Sequence, residues 1–252
     1  MSRVVVWFSC GAASAVAAKM AVQEYGDRCV IAYCDTGGEH ESNKQFLLDV
    51  QEWIGAPVEI LKNTCGYKDH FDVYRKTKYL VGVRGARCTI ELKKRLRFDF
   101  QRPDDIHVFG YTSDEKERAD FFNRNNPELA TDWILVRNNV SKEDCLGLLW
   151  QERIKIPKLY ELGYGHNNCI GCVKGGKGYW NQIRKDFPEV YQEMSLVERE
   201  INHSIFRKED GTRIWLDEMP KDAGNYQKEP PISCGLSCGD TLDQIRRTNA
   251  TS

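Results

Sequence analysis

Ten cysteines in 252 residues are the first chemical signal in this chain. Four of them form two tight pairs, Cys169-Ile170-Gly171-Cys172 and Cys234-Gly235-Leu236-Ser237-Cys238, while Cys10, Cys29, Cys34, Cys65, Cys88 and Cys145 are scattered. The two pairs have spacings that permit a structural tetrahedral zinc on Cys169, Cys172, Cys234 and Cys238. Thiol pairs without metal are the alternative. Cys29 and Cys145 sit in apolar stretches, where unpaired cysteine acts as a small buried hydrophobe. A disulfide framework is not expected. The opening Met1-Ser2-Arg3 and its five apolar followers are too short for a secretory hydrophobic region, so the cytoplasm is the expected compartment.

The second signal is the turn Ser9-Cys10-Gly11-Ala12-Ala13-Ser14, which follows the apolar run Val4 to Phe8 and precedes a helix-favouring stretch. A strand running through such a turn into a helix gathers backbone N–H groups, hydroxyls and a helix N-terminus at one point, which suits a phosphate. Neither a Walker A loop nor a G-x-G-x-x-G fingerprint is present. Lys93, Lys94, Arg95 and Arg97 could neutralise a nucleotide's phosphates or form a solvated helix face. Gly175 to Trp180, with Arg184 and Lys185, has the aromatic and basic mixture of a single-strand nucleic-acid groove, or caps a packed helix. The five histidines, His40, His70, His107, His166 and His203, show no ligand spacing.

These residues need a frame to hold them. Val4 to Phe8, Cys29 to Cys34, Val58 to Leu61 and Ile106 to Phe109 read as strands, and Trp133 to Val136 as a last one. Helices are expected from about Glu41 to a stop at Gly55-Ala56-Pro57, from Ser141, and from about Pro188. Strands alternating with helices predict an α/β fold with a parallel sheet covered on both faces, and ligands at the carboxyl ends of its strands. Residues 1–160 are expected to form the nucleotide-binding domain, and residues 161–252 a cysteine-rich, mostly helical region that completes the site. At 41% hydrophobic and 29% charged, the chain is outside the disordered class, and no run of 18 apolar residues predicts a membrane span. With 36 basic and 37 acidic side chains, no global field draws it onto a polyanion.

Read together and in order, these segments resemble the phosphoadenylyl-sulfate reductases of the PP-loop adenine-nucleotide α-hydrolase superfamily. Besides the Ser-x-Gly-x-x-Ser turn, the similar segments are Asp35-Thr36-Gly37 with Glu41, Cys88-Thr89-Ile90-Glu91-Leu92-Lys93, Gly110 to Arg118, Ile156 to Tyr164, and Cys169-x-x-Cys172. The resemblance covers roughly residues 4 to 180. It implies a Rossmann-like five-stranded parallel sheet. Phosphates would sit on Ser9, Gly11, Ala12 and Ser14, with Asp35, Thr36 and Gly37 near the adenosine, the Gly110 loop beside them, and Arg118 and Lys93 stabilising charge. Cys234-Gly235-Leu236 is similar to the family's mobile tail, whose cysteine attacks the sulfonyl sulfur. Cys88, Cys169 and Cys172 are similar to iron–sulfur ligands, which would leave one iron open or take a fourth thiolate from elsewhere, such as Cys234 or Cys238. Departures are Cys10 for a glycine, Ala13 for an aspartate associated with Mg²⁺, Thr112 for an arginine, and Arg87 in place of a second cysteine.

The function so implied is reduction of adenylyl sulfate or 3'-phosphoadenylyl sulfate, with Cys234 as nucleophile, sulfite as product, and a thioredoxin-like reductant as partner. A 4Fe-4S cluster, or alternatively zinc, is the implied metal cofactor. The rival is an ATP-dependent sulfurtransferase acting on DNA or RNA with an iron–sulfur centre, and a third reading is a non-catalytic nucleotide-binding zinc module. No membrane partner is expected, and a homodimer is compatible with the resemblance.

Overall fold

A computed structural model describes residues 1–82, 85–232 and 234. The first unit is strand β1 (Val4–Phe8), helix α1 (Ala12–Tyr25) and strand β2 (Cys29–Asp35), and the second adds helix α2 (Ser42–Ile54) and strand β3 (Val58–Lys62). Helix α3 (His70–Thr77) follows, then a continuous helical segment α4 over residues 87–100. Strand β4 (Ile106–Phe109), helix α5 (Lys116–Asn125) and strand β5 (Ala130–Asp132) complete the sheet. Its order is β3-β2-β1-β4-β5 and every pairing is parallel. This is a Rossmann-like α/β fold.

All five residues of β1 are buried, which explains their unbroken apolar run: a central parallel strand is covered on both faces. Val4, Val6 and Phe8 pack toward α1 and α2, against Ala15, Ala18, Phe46 and Val50. Val5 and Trp7 face the other way, against Leu96, Phe109 and Phe122. Phe8 pairs with Tyr33, and Trp7 with both Ala32 and Phe109. The carboxyl ends of β1, β2 and β4 therefore finish side by side, with Ser9, Asp35 and Gly110 as their next or last residues.

The stretch Trp133 to Val136, expected as a strand, is instead the start of a short helical turn α6 (Ile134–Arg137), and the last strand lies just before it. A short apolar run has the same appearance as a buried strand or a buried helical turn. Here β5 pairs Ala130 with Ile106 and ends after three residues, and Ile134 and Leu135 then turn into the α1 core.

Helix α7 (Lys142–Gln151) begins with a capping box, Ser141 accepting from the Asp144 amide, and is followed by α8 (Lys158–Glu161), α9 (Lys177–Asp186) and α10 (Pro188–Glu200). These build a second core from Tyr164, Tyr179, Trp180, Met194 and Val197, which also takes in Phe71, Tyr74 and Leu80 from beyond β3. Among the described residues, no helix is long and apolar enough to cross a membrane.

Candidate active site

At the phosphate turn, Ser14 Oγ accepts from the Ser9 amide at 3.1 Å and the Gly11 amide at 3.3 Å, and donates to the Gly11 carbonyl at 2.9 Å. A side-chain oxygen thus holds the amides that an anion would take. Cys10 adopts a left-handed φ of 53° and is fully buried, and its carbonyl accepts from Asn167 Nδ2 at 2.6 Å. That carbonyl is therefore turned toward Asn167, while burial pushes the Cys10 thiol far above its ordinary range. Gly110 lies against the turn so closely that a Cβ there would stand 2.6 Å from both Ser14 Cα and Ser14 N.

These groups line a cavity of about 470 Å³. Ser9, Gly11 and Ser14 form one wall, Gly110, Thr112 and Arg118 another, and Lys93, Lys142, Asn168 and Cys234 the far side. Ala12 is buried as the first residue of α1. Arg118 lies over the Tyr111 ring at 4.5 Å and pairs with Glu115. Thr112 caps the turn into α5 in a capping box with Glu115.

Lys93, Lys94 and Arg97 are buried, so this cluster is not a solvated helix face. The cause is local: residues Ile90–Lys94 form a π-helical turn inside α4, and such turns rotate the helix register so that extra side chains point inward. Burial opposes the Lys93 ammonium, yet Cys234, Glu39, Cys169 and Cys34 outweigh it and hold its pKa above the ordinary lysine value.

Glu39, unmarked by any motif, also lines the cavity. Its carboxylate accepts from Tyr33 Oη at 2.7 Å, Asn43 Nδ2 at 2.8 Å and Thr36 Oγ1 at 3.4 Å. Burial raises its pKa, against the pull of Lys93. Asp35, Thr36 and Gly37 turn away from the phosphate wall: Asp35 accepts from the Gly37 amide at 3.0 Å, and Thr36 Oγ1 lies 3.1 Å from Cys169 Sγ.

Beyond Lys93 the thiols gather. Cys88 accepts a hydrogen bond from Tyr74 Oη at 3.0 Å, and burial, with the neighbouring Cys234, pushes its thiol up to about 11. Cys169 and Cys172 flank Gly171, which holds φ 75° and has no room for a Cβ, as one would stand 2.8 Å from Val190 Cγ1. Tyr179 Oη accepts from the Gly171 and Cys172 amides at 3.1 and 3.0 Å. Cys234 reaches this group from the far end of the sequence and lies 3.7 Å from Thr89 Oγ1. The neighbouring Cys172 thiol, with Lys93 and Lys174, pulls the Cys234 pKa well below the ordinary thiol value, while Cys234 and burial push that of Cys172 up.

Cys234 is carried by a seated strap. Asn181 Nδ2 donates to the Pro220 and Ala223 carbonyls at 3.0 and 2.7 Å, and Tyr226 Oη accepts from the Gly165 amide at 3.0 Å. Glu229 accepts from the Gly178 and Tyr179 amides at 2.6 and 3.0 Å, capping α9 from a distance, and Asn168 Nδ2 donates to the Ile232 carbonyl at 3.3 Å. Tyr179 and Trp180 are wholly buried beneath it, so Gly175 to Trp180 is a packed helix start and offers no ring to a nucleic-acid base. Cys238, proposed above as a ligand, lies outside the described residues. Of the other cysteines, Cys145 is buried as expected, Cys29 is half-buried, and Cys65 is exposed.

The donor set fits an iron–sulfur cluster. Cys88, Cys169, Cys172 and Cys234 lie close enough to act on one another's charge, with Tyr74 beside them and Lys93 and Lys174 as neighbouring cations. Among the described residues, no three His, Cys, Asp or Glu side chains close on one point as ligands of a single metal ion must. A cluster in which each thiolate takes its own iron does not require that convergence.

No family model matches the chain. It is 26% identical over 217 residues to an uncharacterized protein of Methanocaldococcus jannaschii, MJ0066; the match covers 78% of this chain and spans only 42% of that protein's length. Among solved structures, the U34-tRNA thiolase NcsA from Methanococcus maripaludis, with its 4Fe-4S cluster, is similar over 80% of this chain and 73% of its own, at 14% identity and a TM-score of 0.47.

Proposed function

We propose that the protein is an adenine-nucleotide-dependent sulfur-transfer enzyme, in which a nucleotide phosphate held by the Ser9–Ser14 turn faces an iron–sulfur centre on Cys88, Cys169, Cys172 and Cys234. The observation that carries this reading is that the Ser9–Ser14 turn, Lys93 and Cys234 line the same cavity. The seated strap makes Cys234 a resident ligand more readily than a swinging nucleophile.

The chain's own residues do the following. The Ser9 and Gly11 amides exchange Ser14 Oγ for phosphate oxygens, and the dipole of α1 adds to their pull. Lys93 neutralises charge that develops on the transferred adenylyl group, and Arg118 and Lys142 also line the cavity. An acceptor oxygen attacks the α-phosphorus of ATP and pyrophosphate leaves. In the adenylated acceptor, a nucleic acid in this reading, sulfide from a separate sulfide donor then attacks the activated carbon, so that a C–S bond forms, the C–O bond breaks and AMP leaves with the oxygen. A centre on these four thiolates would have no open iron, so it would offer that sulfide a binding point only where Cys234 gave up its iron.

A second reading, reduction of a sulfonyl nucleotide with Cys234 as nucleophile, is favoured by the place of Cys234 in the wall of the same cavity as the Ser9–Ser14 turn. One experiment separates the two: anaerobic purification of the wild type and of Cys234→Ser, with iron content and visible absorbance, pyrophosphate release from ATP with and without tRNA or DNA, and sulfite release from adenylyl sulfate. The sulfur-transfer reading expects an iron–sulfur spectrum that Cys234→Ser loses, and acceptor-dependent pyrophosphate release. An intact spectrum in Cys234→Ser together with lost sulfite release would sink it in favour of the second.

A further inference from the structure

His70 opens α3 at the edge of the thiol pocket and is only 2% exposed. Among the described residues, neither of its ring nitrogens has a hydrogen-bond partner. The backbone of Ile170 lies within hydrogen-bond reach of the ring but outside good hydrogen-bond geometry. An imidazole always carries at least one N–H, and leaving a buried polar group unsatisfied costs on the order of 1–3 kcal/mol. With no partner in good geometry, this donor is open to a group bound beside the ring, and the ring's surroundings say where.

The ring is wedged toward the cysteines. Gly38 makes room for it: a Cβ at Gly38 would stand 2.2 Å from His70 Nδ1 and 3.4 Å from Cys169 Cβ. The Gly38 carbonyl accepts from the Ile170 amide at 2.9 Å, which fixes the C-x-x-C loop against the same point. On the other sides, Phe71 lies 4.0 Å away and Tyr74 meets the ring edge-on at 5.8 Å, both offering apolar faces. Tyr74 itself already donates to Cys88. The sulfur of Cys234 is the anionic neighbour that faces the ring from the strap, and Asp69 the one that faces it from the α3 N-terminus.

Building on the iron–sulfur reading of these four thiols, we infer that His70 is a positioning residue that donates its ring N–H to a sulfur of the bound centre. It parallels the Tyr74 hydroxyl on Cys88 and the Thr36 hydroxyl beside Cys169. Such a donor stabilises the more negatively charged, reduced centre and so raises its reduction potential, in the way that outer hydrogen bonds tune a metal site. Sequence reasoning had no means to single it out, because Cys169, whose loop the ring meets, is about a hundred residues away along the chain.

The test compares wild type, His70→Phe, which keeps a ring and loses both nitrogens, and His70→Gln, which keeps a donor. Iron per chain, the midpoint potential of the centre, and pulsed EPR of the reduced centre in protein labelled with ¹⁵N-histidine are measured on each. His70→Phe is expected to retain iron and to be about tenfold harder to reduce, equivalent to 59 mV for one electron, with His70→Gln recovering at least half of that shift. A weak ¹⁵N coupling in the wild type, absent from His70→Gln, is expected alongside. An unchanged potential in an iron-loaded His70→Phe overturns the inference, as does a strong coupling of the kind a direct ligand gives. Should His70→Phe fail to fold, the coupling difference between wild type and His70→Gln decides alone. Absence of iron from the wild type would instead defeat the iron–sulfur reading itself, and the two failures are told apart before any His70 variant is made.

Discussion

Ser14 and Gly110 show how narrowly the phosphate turn is built. Ser14 Oγ organises the turn through its contacts with Ser9 and Gly11, and Gly110 lets β4 approach α1 where any side chain would strike Ser14's backbone. The neighbour at that contact is main chain and cannot swing aside. Gly110→Ala should therefore push the turn out of register, destabilising the protein by about 1–3 kcal/mol and weakening nucleotide binding by at least about tenfold. Fluorescence titration with an adenine nucleotide, beside a thermal unfolding curve, reads both effects; wild-type binding by Gly110→Ala would mean that the cavity wall at Ser14 does not contact the ligand.

At the level of elements, two irregular pieces carry the site. The π-helical turn at Ile90–Lys94 brings Lys93 into the cavity while Glu91 stays buried between Arg87 and Arg95, 2.8 Å from each. The strap over residues 220–232 brings Cys234 to the thiols, and Glu229 is its main polar anchor. Glu229→Ala would strip the acceptor from two N–H groups at the start of α9, a loss comparable to that of a helix cap, about 1 kcal/mol. Because the anchor is local, the effect should appear as faster amide exchange over residues 220–232 and as lower iron content, with the sheet's exchange unchanged. Uniformly faster exchange across the sheet would show that the strap supports the whole fold rather than Cys234 alone.

Across the whole molecule, the sheet core and the helical core meet at the site, and each has its own means of closure. In the second, Glu198 of α10 is fully buried and accepts from the Ile205 and Leu216 amides at 2.6 and 2.8 Å, tying the chain after α10 to the helix. Burial outweighs these bonds and raises its pKa from 4.5 to about 7. Between those two values the folded state binds the proton more tightly than the unfolded chain does. The stability this group contributes is thus fully present below pH 4.5 and is lost as the pH rises to about 7, at no more than about 1.4 kcal/mol per pH unit. Urea unfolding of wild type and Glu198→Gln across that window should show the wild type alone carrying this downward slope. Parallel curves for the two proteins would assign the slope to other groups.

The amino-acid sequence by itself determined the strand–turn–helix units, the parallel sheet and the small-residue turn after β1, since buried central strands need unbroken apolar runs and tight turns need small residues within a few positions. It also marked Cys88, Cys169, Cys172 and Cys234, although their roles were open between ligand and nucleophile. It misread Trp133 to Val136, because strand and buried helical turn share one short apolar pattern. Tertiary structure alone decided that Cys234 is seated on a strap, that Lys93 points inward, and that Glu39 and His70 face the site. The physical reason is distance along the chain: Thr36 meets Cys169 across 133 residues and Thr89 meets Cys234 across 145. Contacts of that separation are set by how the two cores pack and leave no periodicity or spacing in the local sequence to reveal them.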